Sequence, residues 1–264
     1  MYSGAKSADR ALSVLSFLAT RATPTPTMTI ARECSIPKSS THHLLNLMRE
    51  RNFVTYYEVE RAWGLGVAVF EIGSAYLRRT PLRRLGRPIL EQLAADINHT
   101  THMAVLHGTD VLYIDKEEPP ENNVRLVTEV GVRLPAPLTA VGRAILAELP
   151  EEQVRAIYAD QPLVSRTEHH CDDLDSLITE LAEVRESSYA YDDQMVTPGI
   201  CCLAAPVFSH EGVPMAAVGT SYVVAQCDDE QVERLAVAVT EAGRLLSSRL
   251  GWSGDTADRG REAA

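Results

Sequence analysis

Within Met28–Leu65 the hydrophobic spacing of a helix gives way, after a second helix, to that of two short strands. That order severely limits what the segment can fold into. The run from Pro37 to Arg51 has no breaker after its first residue, and Pro37 suits a first helical turn, where a missing N–H costs nothing. Helical spacing predicts that Ser40, Leu44, Leu47 and Met48 face a core, with Thr41 at its edge. Lys38, Ser39, His42, His43, Asn46 and Arg49 then share the outer side, which is rich in hydrogen-bond donors and carries no acidic residue.

A shorter helix from about Thr29 to Cys34 precedes it, with Thr27 or Thr29 as its expected cap. Ser35-Ile36-Pro37 leaves only a tight turn between the two. Upstream, Ala8–Thr20 supplies a third helix with Leu12, Leu15, Phe17 and Leu18 near one stripe. Downstream, Phe53–Tyr57 has strand composition and Trp63-Gly64-Leu65 can pair back, with Glu58–Ala62 as the tip between them. Three helices, the third polar and basic outside, and a strand pair form a winged helix-turn-helix. Such a helix enters the DNA major groove, and the strand pair lies beside it. Arg61 at the tip is placed for a phosphate or minor-groove contact, while Glu58 and Glu60 keep the wing's contribution modest.

Charge separates the two halves of the chain. The whole is acidic, at −11, yet residues 1–80 hold ten basic and six acidic side chains, a balance of +4. The remaining residues hold 15 basic and 30 acidic, a balance of −15. A positive half suits a polyanion, and a negative half is held away from it.

Several classes of function are excluded. No apolar run approaches the roughly 18 residues that read as a membrane span, and Lys6, Asp9 and Arg10 ahead of an amphipathic helix do not fit a secretory signal. The expected location is the cytoplasm. Five cysteines (Cys34, Cys171, Cys201, Cys202 and Cys227) with no CxxC pair suggest neither a disulfide framework nor a zinc ribbon. His169-His170-Cys171 lacks a second ligand group at useful spacing and reads as a polar loop. There is no GxxxxGK[ST] loop, GxSxG elbow or HExxH helix, and no cofactor or metal is expected.

Val67–Arg79 reads as a helix closing the N-terminal domain, with Val69, Phe70, Ile72 and Tyr76 apolar. After Pro81 a second helical pattern runs to Asp96 as a connector. The period then changes. Thr101–His107 and Val111–Lys116 read as strands about a His107–Asp110 turn, and Val124–Val127 as a further strand. Helices follow at Thr139–Leu149, Glu151–Tyr158 and Asp173–Glu186; Ala190-Tyr191-Asp192 enters another strand. Ile200–Phe208 and Met215–Tyr222 are apolar strands, and Asp228–Arg249 is a long amphipathic helix. The outcome is an α+β chain whose second half is an antiparallel sheet with helices packed on it, a form that cups small ligands. The expected divisions are a winged helix-turn-helix domain at 7–80, a linker helix at 81–97, an effector domain at 98–252 and a disordered tail at 253–264.

Six short runs carry a resemblance: Asp9–Leu12, Ile36–His42, Trp63–Gly66, Thr139–Ala144, Tyr189–Asp193 and Gly199–Val207. From about Ser7 to Leu250 the chain resembles the IclR family of bacterial transcriptional regulators. The resemblance implies a winged helix-turn-helix, a linker helix and a GAF-like α/β effector-binding domain. It also implies dimers or dimers of dimers on operator DNA that regulate catabolic genes in response to small organic acids or aromatic metabolites. Three positions depart from the family pattern: His43 stands where an arginine is usual, Ser188 where a glycine is frequent, and Gln194 where a glutamate is usual.

Candidate DNA-contacting residues are Arg10, Thr29, Lys38, Ser39, Ser40, His42, His43, Asn46, Arg49 and Arg61. Alternation sends Ile200, Cys202 and Ala204 to one strand face and Cys201 and Leu203 to the other, and by similarity the pocket face is that of Cys202. Gly219 and Ser221 share a face of the neighbouring strand. The start of the Thr139 helix offers backbone N–H groups at Ala140, Val141 and Gly142 to an anion. Asp192 resembles the family's pocket aspartate, and Leu126 and Leu134 serve as apolar walls. The expected partners are double-stranded operator DNA, a small organic acid or aromatic effector, and a second copy of the chain; no membrane is expected. Two alternatives use the cysteines. One is an enzyme with Cys201 or Cys202 as nucleophile, with His102 and His107 as available bases; the other is a redox sensor through the vicinal pair, whose opposite orientations would strain a disulfide.

Overall fold

The computed structural model describes residues 6–119, 128–171 and 173–254. Two compact units divide at Arg79/Thr80.

The first unit holds helices α1 (Lys6–Ala19), α2 (Thr27–Glu33) and α3 (Lys38–Glu50), the hairpin β1 (Val54–Tyr57) and β2 (Ala62–Leu65), and α4 (Val67–Arg79). Val14, Leu18, Ile30, Ile36, Leu45, Met48, Val54 and Trp63 form its core. The α1 stripe is therefore Val14 and Leu18, flanked by Ala11 and Leu15, and Leu12 faces solvent. In α3 the buried line is Thr41, Leu45 and Met48, whereas Leu47 is 52% exposed. The expected core face was one position out of phase. The Thr41 hydroxyl bonds back to the Pro37 carbonyl at 3.1 Å, which satisfies a polar side chain inside the core.

Pro37 is the cap of α3 rather than its first helical residue. Neither threonine caps α2. Pro26 occupies that position, and the Thr27 hydroxyl accepts the Trp63 indole N–H instead. Ser35, in the turn between α2 and α3, has φ 53, a left-handed conformation that closes the turn. The hairpin pairs Val54 with Leu65 through to Tyr57 with Ala62, which leaves Glu58–Arg61 at the tip. Thr25 bridges Trp63 as a short third partner. Along α4, Val67, Phe70 and Ile72 are exposed, Phe70 at 75%.

The second unit is a six-stranded antiparallel sheet in the order β5-β4-β3-β8-β7-β6. Its strands are β3 (Thr100–His107), β4 (Asp110–Glu117), β5 (Arg133–Pro135), β6 (Ala190–Asp193), β7 (Ile200–Phe208) and β8 (Pro214–Val223). Helices α5 (Pro81–Ile97) and α9 (Asp229–Arg249) cover one face through Leu82, Ile89, Leu90, Leu93, Val239 and Leu246. The other face carries α6 (Ala140–Ala147), with α7 (Glu151–Tyr158) and α8 (Leu174–Ser187) completing its core. The connector helix α5 thus packs as part of this unit. Strand β5 had no counterpart among the expected elements; the expected strand Val124–Val127 and the residue Leu126 lie outside the described residues.

Alternation orders the two faces. Cys202, Ala204 and Ala217 belong to the core under α6, and Ala205, Val207, Ala216 and Val218 to that under α5 and α9. Strand β4 breaks the rule. Met103 pairs with Asp115 but Ala104 pairs with Tyr113, so a bulge falls at Ile114. Tyr113 and Lys116 consequently oppose Ala104 and His102 on the α6 side. Ile114 and Asp115 both turn to the α5 side, where Ile114 joins the core and Asp115 meets Arg83 and Arg87.

Candidate nucleic-acid interface and effector pocket

Helix α3 buries Thr41, Leu45 and Met48, so its remaining positions point outward. Lys38, Ser39, His42, His43, Asn46 and Arg49 are all exposed, and Ser40 is half-buried at the margin. Lys38 opens the helix, where the unpaired backbone N–H groups and the helix dipole already favour an anion. Arg61 is exposed at the hairpin tip with φ 49. Arg10 on α1 and Thr29 on α2 are half-buried. The α3 residues thus form one exposed face of the unit, and Arg61 stands on the hairpin tip.

In the second unit, three candidate residues meet by register. Asp192 pairs with Cys202, and Cys202 with Ser221. The Cys202 thiol lies 3.2 Å from the Ser221 hydroxyl, and the Asp192 carboxylate accepts the Met195 N–H at 2.7 Å. Gly219 follows two positions before Ser221, opposite His102 on β3. A Cβ at Gly219 would stand 2.8 Å from the Leu203 carbonyl oxygen and 2.9 Å from His102 Nε2, so the imidazole occupies the space that the missing side chain leaves. Ala140 and Val141 are buried against this face from α6. Ile200 is half-buried at the strand's start, opposite Val223. Leu134 is buried too, but on β5, the edge strand opposite to the one that carries Asp192. The expected anion cradle is reduced, because the Gly142 N–H is already bonded to the Thr139 hydroxyl at 3.0 Å as the cap of α6.

Three side chains on this face, Tyr113, Lys116 and Arg143, were not among the sequence candidates, and His102, named there only as a base for a cysteine enzyme, joins them. His102 and Tyr113 are buried with ring centroids 5.3 Å apart. Burial, aided by the Lys116 charge, pushes the His102 imidazole down to about 3, so it is neutral at physiological pH. The Lys116 side chain is 7% exposed. Burial opposes its charge, but bonds to Glu118 and Glu129 prevail and its pKa is raised. Arg143 on α6 donates to Glu180 and contacts the Met195 sulfur. Burial lifts the Asp192 carboxyl to about 7, against the Met195 amide and the Arg143 charge. Among the described residues, His102 Nδ1, Thr128 Oγ1 and Arg143 Nε are buried without a hydrogen-bond partner. Unpaired buried groups of this kind are costly in an empty protein and are the groups a polar ligand satisfies. Alternation along β3 places His102 with Ala104; on β4 the bulge hides the partnership of Tyr113 with Lys116.

The cysteine alternatives fare poorly on geometry. Cys201 faces α9 and accepts from the Tyr191 hydroxyl at 3.0 Å, while Cys202 packs against the core under α6. Burial raises both thiol pKa values, which disfavours the thiolate that nucleophilic or redox chemistry needs. His169 pairs with Asp193 at 3.3 Å, and Cys171 donates to Glu180.

Comparison with known proteins places this geometry. Residues 74–248 match the bacterial transcriptional regulator IclR C-terminal domain, and residues 7–57 the IclR helix-turn-helix domain. The transcriptional repressor IclR of Escherichia coli is 29% identical over 248 residues, 93% of this chain and 90% of that protein. The crystal structure of a transcriptional regulator from Alicyclobacillus acidocaldarius superposes with TM-score 0.83 at 26% identity, covering 93% of this chain and 99% of the other. An IclR homologue from Microbacterium hydrocarbonoxydans, solved with 4-hydroxybenzoate, shares the fold at TM-score 0.79 and 23% identity, over 92% and 98% of the two chains. With an outward basic helix in its first unit and both family domains matched in order, the chain belongs to the IclR family of bacterial transcriptional regulators.

Proposed function

We propose that this regulator represses catabolic genes and releases its operator when a small organic acid or aromatic metabolite enters the effector pocket. The observation that carries the reading is the outward set Lys38, Ser39, His42, His43, Asn46 and Arg49 on a helix locked by Thr41, Leu45 and Met48. Residues near the start of α3 read base edges; Arg49 and Arg61 meet phosphates, and Arg10, Thr29 and Ser40 border the contact. The effector lies against Ala140, Val141, Ile200, Cys202, Gly219 and Ser221, with Asp192 and Leu134 at its edges. Lys116 and the neutral His102 favour an acid that also carries a hydrogen-bonding group. The exposed Phe70 and Ile72 on α4 support self-association into a dimer or dimer of dimers, so that two heads meet two half-sites. The cytoplasm is the compartment this activity requires, and no helix among the described residues is long and apolar enough to cross a membrane.

Fluorescence anisotropy on the chain's own upstream DNA, with unrelated DNA of equal length as control, tests the reading at several salt concentrations. The expected result is a preference of at least about a thousandfold for the upstream DNA. One member of a panel of short acids and aromatic acids, 4-hydroxybenzoate included, is expected to reduce it. Equal binding to both DNAs at physiological salt, with and without the panel, would overturn it.

A further inference from the structure

Asp115 is a buried carboxylate, its side chain 0% exposed, on the face of β4 turned away from the pocket. Helix α5 meets it with two arginines one turn apart. Arg87 Nη1 donates to Asp115 Oδ1 at 2.9 Å, and Arg83 Nε lies 3.3 Å from Oδ2 without hydrogen-bond geometry. The first arm is made and the second is incomplete. Arg87 also holds Glu117 on the same strand and Glu91 on its own helix. A buried ion pair of this sort contributes little net stability, because desolvation offsets its attraction. Its value lies in fixing one arrangement of the two elements it joins.

The same Asp115 Oδ1 accepts the backbone N–H of Lys116 at 3.1 Å. That amide belongs to the residue whose side chain, re-aimed by the bulge at Ile114, stands beside His102 on the pocket face. One carboxylate oxygen therefore touches both the strand backbone at a pocket residue and the helix that begins two residues after the first unit ends. We propose that Asp115 is the positioning residue through which displacement of Lys116 at the pocket shifts helix α5. A ligand that draws the ammonium away from Glu118 and Glu129 moves the Lys116 amide, alters the shared oxygen, and lets Arg83 complete its bond or Arg87 break one. The proposal rests on the pocket assignment above, but its test needs neither operator nor effector.

Amide hydrogen exchange, measured on the full chain, reads the coupling directly. Lys116→Met perturbs the pocket side alone, and in the natural background it is expected to change exchange across Leu82–Leu90 of α5 about fivefold or more. In the Asp115→Asn background the same substitution is expected to change it less than about twofold, because the shared joint is gone. If Asp115 were merely structural, Lys116→Met would change α5 exchange by the same factor in both backgrounds. Unaltered α5 exchange in Lys116→Met, or the same factor in both backgrounds, would overturn the proposal. Should Asp115→Asn fail to fold by circular dichroism, Arg87→Gln, at a part-exposed residue, completes the same cycle with the same criteria. Failure here leaves the DNA-binding reading intact, since that stands on the anisotropy measurement.

Discussion

The indole N–H of Trp63 donates to the Thr27 hydroxyl at 2.9 Å, which ties the second strand of the wing to the first residue of α2. The indole ring also lies 4.8 Å from the Tyr56 ring, tilted 54° to it, and the Trp63 backbone exchanges two hydrogen bonds with Thr25. Thr27→Val keeps the volume and leaves the indole N–H unpaired inside the core. The expected loss is about 1–3 kcal/mol of stability, read from urea unfolding. A loss below about 0.5 kcal/mol would mean that water replaces the hydroxyl.

His43 is exposed on α3, at a position where the resemblance implies an arginine. His43→Arg adds a permanent charge and a forked donor to the outward face. Operator binding is expected to tighten up to about tenfold, and the slope of log affinity against log salt to steepen by about one. Arg61→Ala, at the hairpin tip, is expected to flatten that slope by about one and to leave the ratio of operator to unrelated DNA nearly unchanged. A change of sequence preference with Arg61→Ala would assign that residue to base reading instead.

Asp192 and His102 titrate against each other in stability. The Asp192 carboxyl, raised to about 7 by burial, keeps its proton in the folded chain between about pH 4 and 7, where the unfolded chain has lost it. Stability from this group therefore falls as pH rises through that window. The His102 imidazole, lowered to about 3 by burial, stays neutral in the folded chain while the unfolded chain protonates below about pH 6.5. Its contribution falls as pH drops through that range. The two slopes oppose, so each substitution should expose the other. Asp192→Asn is expected to make the melting temperature climb more steeply between pH 4.5 and 6.5, and His102→Asn to make it fall. Parallel profiles for the two variants would contradict the assignment.

Ser188 caps α8 with φ 65, a left-handed conformation in which a side chain is strained. A glycine, which the resemblance implies at this position, would carry no such strain. Ser188→Gly is expected to raise stability by about 0.5–1 kcal/mol, seen as a later thermal transition with an unchanged far-ultraviolet spectrum. Gln194, the other departure near it, has φ 55 and donates to Asp193 at 3.0 Å. Gln194→Glu would replace that donation by repulsion, so the glutamine suits this particular rim.

Gly219→Ala tests the crowding beneath the pocket. Its Cβ would meet a backbone carbonyl at 2.8 Å, which cannot step aside as a side chain can. A cost of about 1–3 kcal/mol is expected, together with weaker binding of whichever acid releases the operator.

The sequence announced the elements more readily than their rotation. Strands β7 and β8 were legible because apolar runs end at turn residues, and α6 because Thr139 supplies its cap. The phase of α3 was not. Leu44, Leu45, Leu47 and Met48 crowd four apolar residues into five positions, and periodicity cannot choose among neighbouring stripes. The facing Val14, Ile30 and Trp63 choose, and their packing is a tertiary fact. Leu12 lost its expected place on α1 to Val14 in the same way. Strand β5 was invisible because three residues bordering prolines carry no period of their own; its partner Val111 makes Leu134 a strand residue. On the sheet face under α6, Cys202, Gly219 and Ser221 lay on unbroken alternation, and Tyr113 and Lys116 were hidden by a single extra residue at Ile114.

Strand β8 lies in the interior of the sheet, between β3 and β7. During synthesis β3 therefore emerges more than a hundred residues before the strand that must dock beside it. The first unit closes on local contacts alone, and the ribosome delivers it early. A chain cut short before Pro214 would thus keep every residue of the first unit and lose the strand that joins the two halves of the sheet.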